Sequence, residues 1–372
     1  MSVDPADRAR ELLDEADGVE DGAAKVQRLE EAIRLADAAG DVELGFRARR
    51  ELVDAGTFGG AAEKVLVAFS WCLAQCDRDP AKFPESQLLW QWKWVVAAIF
   101  GFPQISREQI ERTFEDMVRR YKRCGLNMRP VWKLRWTSAL DMGEPDRVRE
   151  FHAKWRRAPR DWNSDCEACD QNSHMDYLVW AKRDAQALQA ARPILEGRMR
   201  CKHIPHFTHS AVLVPLFRLG RLEEAAGQHL RGYRMIARNR EFLRSAAEHL
   251  HFLVVTDNLS KALRLLEKHL AWALESWEMI KVFHFHLAAR LLLERLARAG
   301  WATVAVRLPR EFPARRDDAA YETAALAAWF DERSRAIASD FDRRNGNGHY
   351  ASLADVNLKW LDRITPHRLG IS

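Results

Sequence analysis

Cys166 and Cys169 form a Cys-x-x-Cys pair, and Cys201-x-His203-x-x-His206 begins 32 positions after the second of them. Zinc takes four soft or borderline ligands in a tetrahedron, and a two-residue spacer lets two thiolates reach one ion. The expected ligand set is Cys166, Cys169, Cys201 and one of His203 or His206, holding a structural zinc. Other readings stand beside it. Cysteines are often simply buried, and the two histidines flank Pro205 in a loop where they could cap helix ends. A catalytic zinc needs an open coordination position and a general base. The zinc-deaminase pattern demands His-x-Glu with Pro-Cys-x-x-Cys, whereas Ser164-Asp165 precede this pair and no His-x-Glu occurs in the chain. A redox dithiol usually accompanies a βαβ pattern, which is missing here.

A second stretch could do different chemistry. Residues 119–160 hold thirteen Lys/Arg against four Asp/Glu, a local balance of +9 in a chain whose net charge is only +5. The first fifty-five residues are acidic by comparison. Trp132, Trp136, Trp155 and Trp162 are interleaved with Arg129, Lys133, Arg135, Lys154, Arg156, Arg157 and Arg160. Aromatic rings beside a basic surface hold single-stranded nucleic acid with little sequence preference, and charge asymmetry also suits an acidic protein or peptide. The structural alternative is a solvated polar face over a tryptophan core. Trp132 and Trp136, four apart, suit one buried helix face.

Other candidates reduce to packing. Cys72 and Cys76 are four apart on one helix face, which suits a core. His249-x-His251 and His284-x-His286 are two apart on helices, so their rings diverge. Asp340-x-Asp342 leads to Gly346, but the twelfth position is Ala351 rather than Glu, which rules out a calcium loop. The chain has no G-x-x-x-x-G-K-[ST], no G-x-G-x-x-G after a strand, no H-E-x-x-H and no G-x-S-x-G.

The elements that must position these residues are helices. Ala, Leu, Arg and Glu dominate the composition, and these favour helix. No long Val/Ile/Thr-rich alternation occurs, so no sheet is expected. At 372 residues the chain exceeds what one core comfortably serves, so two domains or one elongated repeat domain are expected. Six cysteines are too few for a disulfide scaffold. The first residues carry no signal-peptide pattern, and no run reaches about 18 apolar residues. The protein is expected to be cytoplasmic, without a membrane partner.

Residues 209–237 show the repeating unit. Val212, Leu213, Leu216, Phe217 and Leu219 precede a break at Gly220-Arg221. Leu222, Ala225, Ala226, His229, Leu230, Tyr233 and Ile236 follow it. Steps of three and four define one helix face, and two helices joined by so short a break lie antiparallel. Similar breaks fall at Gly143, Lys182, Gly220, Asp257 and Gly300, separated by 39, 38, 37 and 43 residues. Periods of this size signal a repeat architecture, in which each hairpin covers the apolar face of the last. The hairpin between the two ligand groups runs roughly over 173–182 and 185–195. The start of its first helix and the end of its second fall at the same end, so both ligand groups meet there.

Leu216, Gly220 and Ala225 stand where the tetratricopeptide repeat has an aromatic or aliphatic residue, a glycine and an alanine. Over about residues 134–296 the chain resembles that family. It departs in having Leu213 where the motif wants a small residue, and in a period above about 34 residues. The resemblance implies an all-α solenoid of stacked antiparallel hairpins that binds other proteins in a concave groove. The expected organisation is an N-terminal helical region (1–80), a Trp-rich connector (81–130), the helical-repeat solenoid (131–330) and a tail with a short helix (331–372). In the connector, Ser106 and Gln109 form a capping-box pattern.

The expected function is a non-enzymatic interaction scaffold for a protein or peptide. The alternatives are a nucleic-acid-binding repeat protein that uses the 119–160 segment, and a zinc-dependent hydrolase or redox protein.

Overall fold

The computed structural model describes residues 4–370. The chain is all-α apart from one small hairpin, and its helices pack largely against their neighbours in sequence. It divides into two compact units, Met1–Ser164 with Asn239–Glu241, and Asp165–Arg238 with Phe242–Ser372.

The first unit holds α1 (Pro5–Asp17), α2 (Ala23–Ala38), α3 (Val42–Gly59), α4 (Ala62–Arg78), α5 (Leu89–Ile99), α6 (Arg107–Arg123), α7 (Arg129–Asp141) and α8 (Pro145–Arg157). Successive helices from α1 to α4 pack in pairs, as do α7 and α8. Their cores merge around Leu13, Leu29, Val53, Trp92, Phe114 and Tyr121. The capping box at the start of α6 is formed: the Ser106 hydroxyl accepts from the Gln109 N–H, and the Gln109 side chain accepts from the Ser106 N–H. Cys72 and Cys76 are buried in α4, as core residues should be.

The second unit holds α9 (Glu167–Trp180), α10 (Asp184–Leu195), α11 (His206–Ala211), α12 (Leu213–Arg218), α13 (Leu222–Ile236), α14 (Leu243–Val255), α15 (Leu259–Glu275), α16 (Met279–Arg298), β1 (Thr303–Ala305), β2 (Ala320–Glu322), α17 (Thr323–Asn345) and α18 (His349–Asn357). The first half of the 209–237 hairpin is broken into α11 and α12 at Val212. Pro215 accounts for the break, because it has no N–H to return to the Ala211 carbonyl.

The turn positions read from the sequence share one geometry. Gly143, Lys182, Gly220, Asp257 and Gly300 all have left-handed φ, at 72°, 56°, 71°, 58° and 86°. The residue after each donates its N–H to a carbonyl five positions back, as in Arg183 to Leu178 and Arg221 to Leu216, both at 2.9 Å. This Schellman closure satisfies the last carbonyls of one helix and turns the chain back. At the first four positions a helix follows directly. The fifth differs, because α16 exits into β1.

Two expectations are corrected here. The three-residue strands β1 and β2 pair antiparallel, with Val304 opposite Tyr321. Both of these side chains are buried, so a sheet too short to register as an alternating run still forms over the core. The stretch after residue 331 is largely helical: α17, which begins at Thr323, runs through it to Asn345, and the Asp342 carboxylate caps α18 through the Tyr350 and Ala351 N–H groups. That cap is the use the structure makes of Asp342, whereas Asp340 pairs with Arg343. Among the described residues no helix is long and apolar enough to cross a membrane.

Candidate metal centre

Cys166 is the N-cap of α9, with extended backbone (φ −61°, ψ 158°), and its sulfur accepts the Cys169 N–H at 3.4 Å. An N-cap side chain points back over the first turn, so the residue three positions on is the one whose sulfur shares its space. α9 begins at Glu167, six residues earlier than the sequence period suggested, and this places Cys169 inside the helix. α10 returns alongside, with Gln171 donating to the Ala190 carbonyl at 2.8 Å. It ends at Leu195, where Gly197 takes φ +77°.

The chain then folds into a tight loop in which the Cys201 N–H donates to the Ile204 carbonyl at 3.0 Å. That loop brings the Cys201 sulfur to 3.3 Å from Cys169. The three ligand sulfurs of Cys166, Cys169 and Cys201 all lie within 4.8 Å of one another. Sulfurs about 2.3 Å from a tetrahedral zinc stand roughly 3.8 Å apart, so this spacing suits a metal ion such as zinc. The meeting of the two ligand groups at one end of a hairpin is therefore as expected.

The local electrostatics favour thiolate. The Cys201 thiol is held well below its usual value by hydrogen bonds from Cys166 first and Cys169 second, with the His203 and Ile204 backbone also contributing against burial. Backbone donors aimed at a sulfur stabilise its anion and leave it free to ligate. Beneath the sulfurs sits a small apolar cluster of Ala168, Ile194 and Ile204, with Met199 and Phe207 packed on it. Cys166 faces solvent, whereas Cys169 and Cys201 are half-buried.

The histidines expected to complete the set lie outside this group. His203 packs edge-on against Phe207 and Phe242, with centroids 5.1 and 5.5 Å away. His206 stacks on Phe242 at 5.1 Å with planes 12° apart. Aromatic packing on Phe242 therefore sets where both rings point, a long-range contact that ligand spacing could not reveal.

The basic, tryptophan-rich segment is divided by the fold. Trp136 and Trp155 are fully buried, and Trp132 stacks on Phe151 at 5.9 Å. Arg129 is buried and donates to the Trp155 and Ala158 carbonyls at 3.0 and 2.8 Å. Arg135 pairs with Glu111 at 2.7 Å, Lys154 pairs with Glu150, and Lys133 is half-buried. Arg156, Arg157, Arg160 and Trp162 face solvent.

A further group escaped the sequence reading. His209 on α11, His229 on α13, His249 on α14 and His269 on α15 are all buried. Nδ1 of His249 lies 3.0 Å from Nδ1 of His229. His269 Nε2 lies 2.9 Å from the Tyr233 hydroxyl, and His209 Nδ1 lies 2.7 Å from Gln228 Oε1. Gly232 makes room for them: a Cβ there would stand 2.4 Å from the His209 Cβ. Burial holds His229 near 4 and His269 near 3, and it lowers His209 and His249 as well. A repeat of histidine every 20 residues was the signal available in the sequence.

No protein-family model matches the chain, and no curated protein matches it.

Proposed function

We propose that the chain is a non-enzymatic helical-repeat scaffold of the tetratricopeptide-like kind, with a structural zinc clamp in its second unit. Cys166, Cys169 and Cys201 hold the ion. The observation that carries this reading is the convergence of three sulfurs from the two ends of one helical hairpin, two of them accepting backbone N–H groups. Such a clamp ties the end of α10 to the start of α9, where a short loop alone would leave the hairpin free to fray. The recurrent left-handed turns favour the repeat reading.

The partner is a protein or peptide of acidic character. Exposed Arg156, Arg157 and Arg160 on the first unit favour it, because their guanidinium groups can take carboxylates in pairs. The nucleic-acid reading keeps one supporting observation, the exposed Trp162 in the same stretch. It loses Trp136 and Trp155 as stacking platforms, since both are buried.

The test is affinity capture of the tagged chain and of an Arg156→Glu, Arg157→Glu variant, with and without nuclease, alongside elemental analysis. The reading expects about one zinc per chain and a protein partner that survives nuclease and is lost from the variant. Binding that disappears with nuclease replaces the scaffold with a nucleic-acid function. Reduced protein without metal removes the clamp.

A further inference from the structure

We infer that Cys169 and Cys201 form an oxidation site for hydroperoxides, which join the two sulfurs in a disulfide and thereby eject the metal. The ejection rests on the clamp proposed above, whereas the disulfide does not.

The six cysteines differ sharply in what surrounds them. Cys72 and Cys76 are buried in α4, and burial pushes their thiols up to about 12 and about 11. Cys124 faces solvent, but its thiol lies 3.3 Å from the Glu85 carboxylate, and burial together with that carboxylate keeps it protonated. Only a thiolate attacks a peroxide or a disulfide efficiently. The cluster at the start of α9 is the place where a second sulfur is already at hand.

Geometry selects the pair. Cys169 and Cys201 approach to 3.3 Å, and a disulfide needs about 2.05 Å, so the sulfurs must close by roughly 1.3 Å. One comes from the first turn of a helix and the other from the loop between α10 and α11, outside either helix, so the loop can supply that movement. Cys166, the exposed N-cap, leaves the two half-buried partners reachable by a molecule as small as hydrogen peroxide.

The chemistry balances with the peroxide as oxidant. One thiolate of the pair attacks a peroxide oxygen, the S–O bond forms, the O–O bond breaks, and the departing hydroxide takes a proton to become water. The neighbouring thiolate attacks the sulfenic sulfur, the S–S bond forms, the S–O bond breaks, and a second water leaves with another proton. The two sulfurs lose two electrons and the peroxide gains them. A divalent ion that loses two of its three sulfur ligands is no longer held.

The test uses the full chain, reduced and loaded with zinc, then treated with hydrogen peroxide. Released zinc is followed with a chromogenic chelator, and the linkage is read by peptide mass spectrometry. The inference expects one zinc released for each disulfide, a crosslink between the Cys169 and Cys201 peptides, and oxidation at least about tenfold faster than at Cys124. A Cys169→Ser variant releases zinc correspondingly slowly. Where that variant fails to fold, the linkage map of the unaltered chain decides. Cys124 oxidised while the pair stays reduced overturns the inference, and so does a Cys166–Cys169 bond in place of the expected one. A chain that purifies without metal yet forms the Cys169–Cys201 bond overturns the clamp and keeps the oxidation site.

Discussion

Around Arg120 the first unit gathers charge, whereas around His249 the second gathers neutral rings. The Arg120 guanidinium is buried, lies 2.7 Å from Asp77 and 3.1 Å from Glu85, and also reaches Asp116. Arg123 bonds Glu85 as well. These contacts hold Asp77, through Arg120, and Glu85, through Arg123, below the usual carboxylate range. In the second unit His229, His249 and His269 are held below the usual imidazole value, in each case first by burial. The cysteines divide the opposite way, with thiols pushed up in α4 and a thiol pushed down at Cys201. Around these two centres the units thus bury polar groups by different means, one by pairing charges and the other by keeping rings neutral, although the second unit also buries Arg290, which pairs with Asp331 at 2.9 Å.

The largest expected effect removes the clamp's metal ion. A Cys201→Ser change, or a strong chelator, should abolish metal content and cost the second unit on the order of 5 kcal/mol or more. That corresponds to a melting point lower by roughly 10–20 °C. Cys72→Ser should leave the metal in place. Elemental analysis and calorimetry on the two variants check the contrast, and equal metal loss in both would erase it.

Acid should separate the units next. Histidines whose folded pKa lies below the unfolded value leave the unfolded chain binding more protons as pH falls. Stability is therefore fully present above about 6.5 and is lost progressively down to about 4 for His229 and about 3 for His269, at about 1.4 kcal/mol per pH unit for each such histidine. The depressed carboxylates of the first unit keep their contribution until pH falls below the usual carboxylate range near 4. Hydrogen exchange at pH 7 and pH 5 should show α13–α15 loosening while α4–α6 stay protected. Equal loosening, or the reverse order, would show that the buried histidines carry no such linkage.

The smallest effect compares two tight glycines. A Cβ at Gly232 meets the His209 Cβ at 2.4 Å and the His249 ring at 3.3 Å, whereas one at Gly56 meets a Val65 methyl at 2.7 Å. Gly232→Ala should cost about 3 kcal/mol, because hydrogen-bonded rings must move. Gly56→Ala should cost about 1–2 kcal/mol, because a methyl can rotate away. Denaturant titration of both variants measures the difference, and a larger loss at Gly56 would reverse it.

Local chemistry was legible in the chain. The capping box at Ser106, the left-handed turns at Gly143 and Gly220, and the burial of Cys72 and Cys76 follow from residue type and spacing. They depend on contacts within a few positions along the backbone. The meeting of Cys166 and Cys169 with Cys201 was legible too, because antiparallel hairpin geometry returns the chain to its starting end. The β1–β2 hairpin was not, since three residues per strand are too few to show a period of two. The break at Val212 carried a signal in Pro215, which the apolar spacing around it outweighed.

By itself, then, the sequence determined a helical chain with turns at near-regular intervals and a soft-metal donor set at one hairpin's end. Each of these is set by backbone sterics and short-range periodicity. Tertiary structure decided the rest. It placed Phe242 against His203 and His206, buried Trp136 and Trp155 while leaving Arg156 and Arg157 in water, and brought four histidines 20 residues apart into one core. Those outcomes depend on which helix faces meet, and that is settled by packing between segments far apart in the chain.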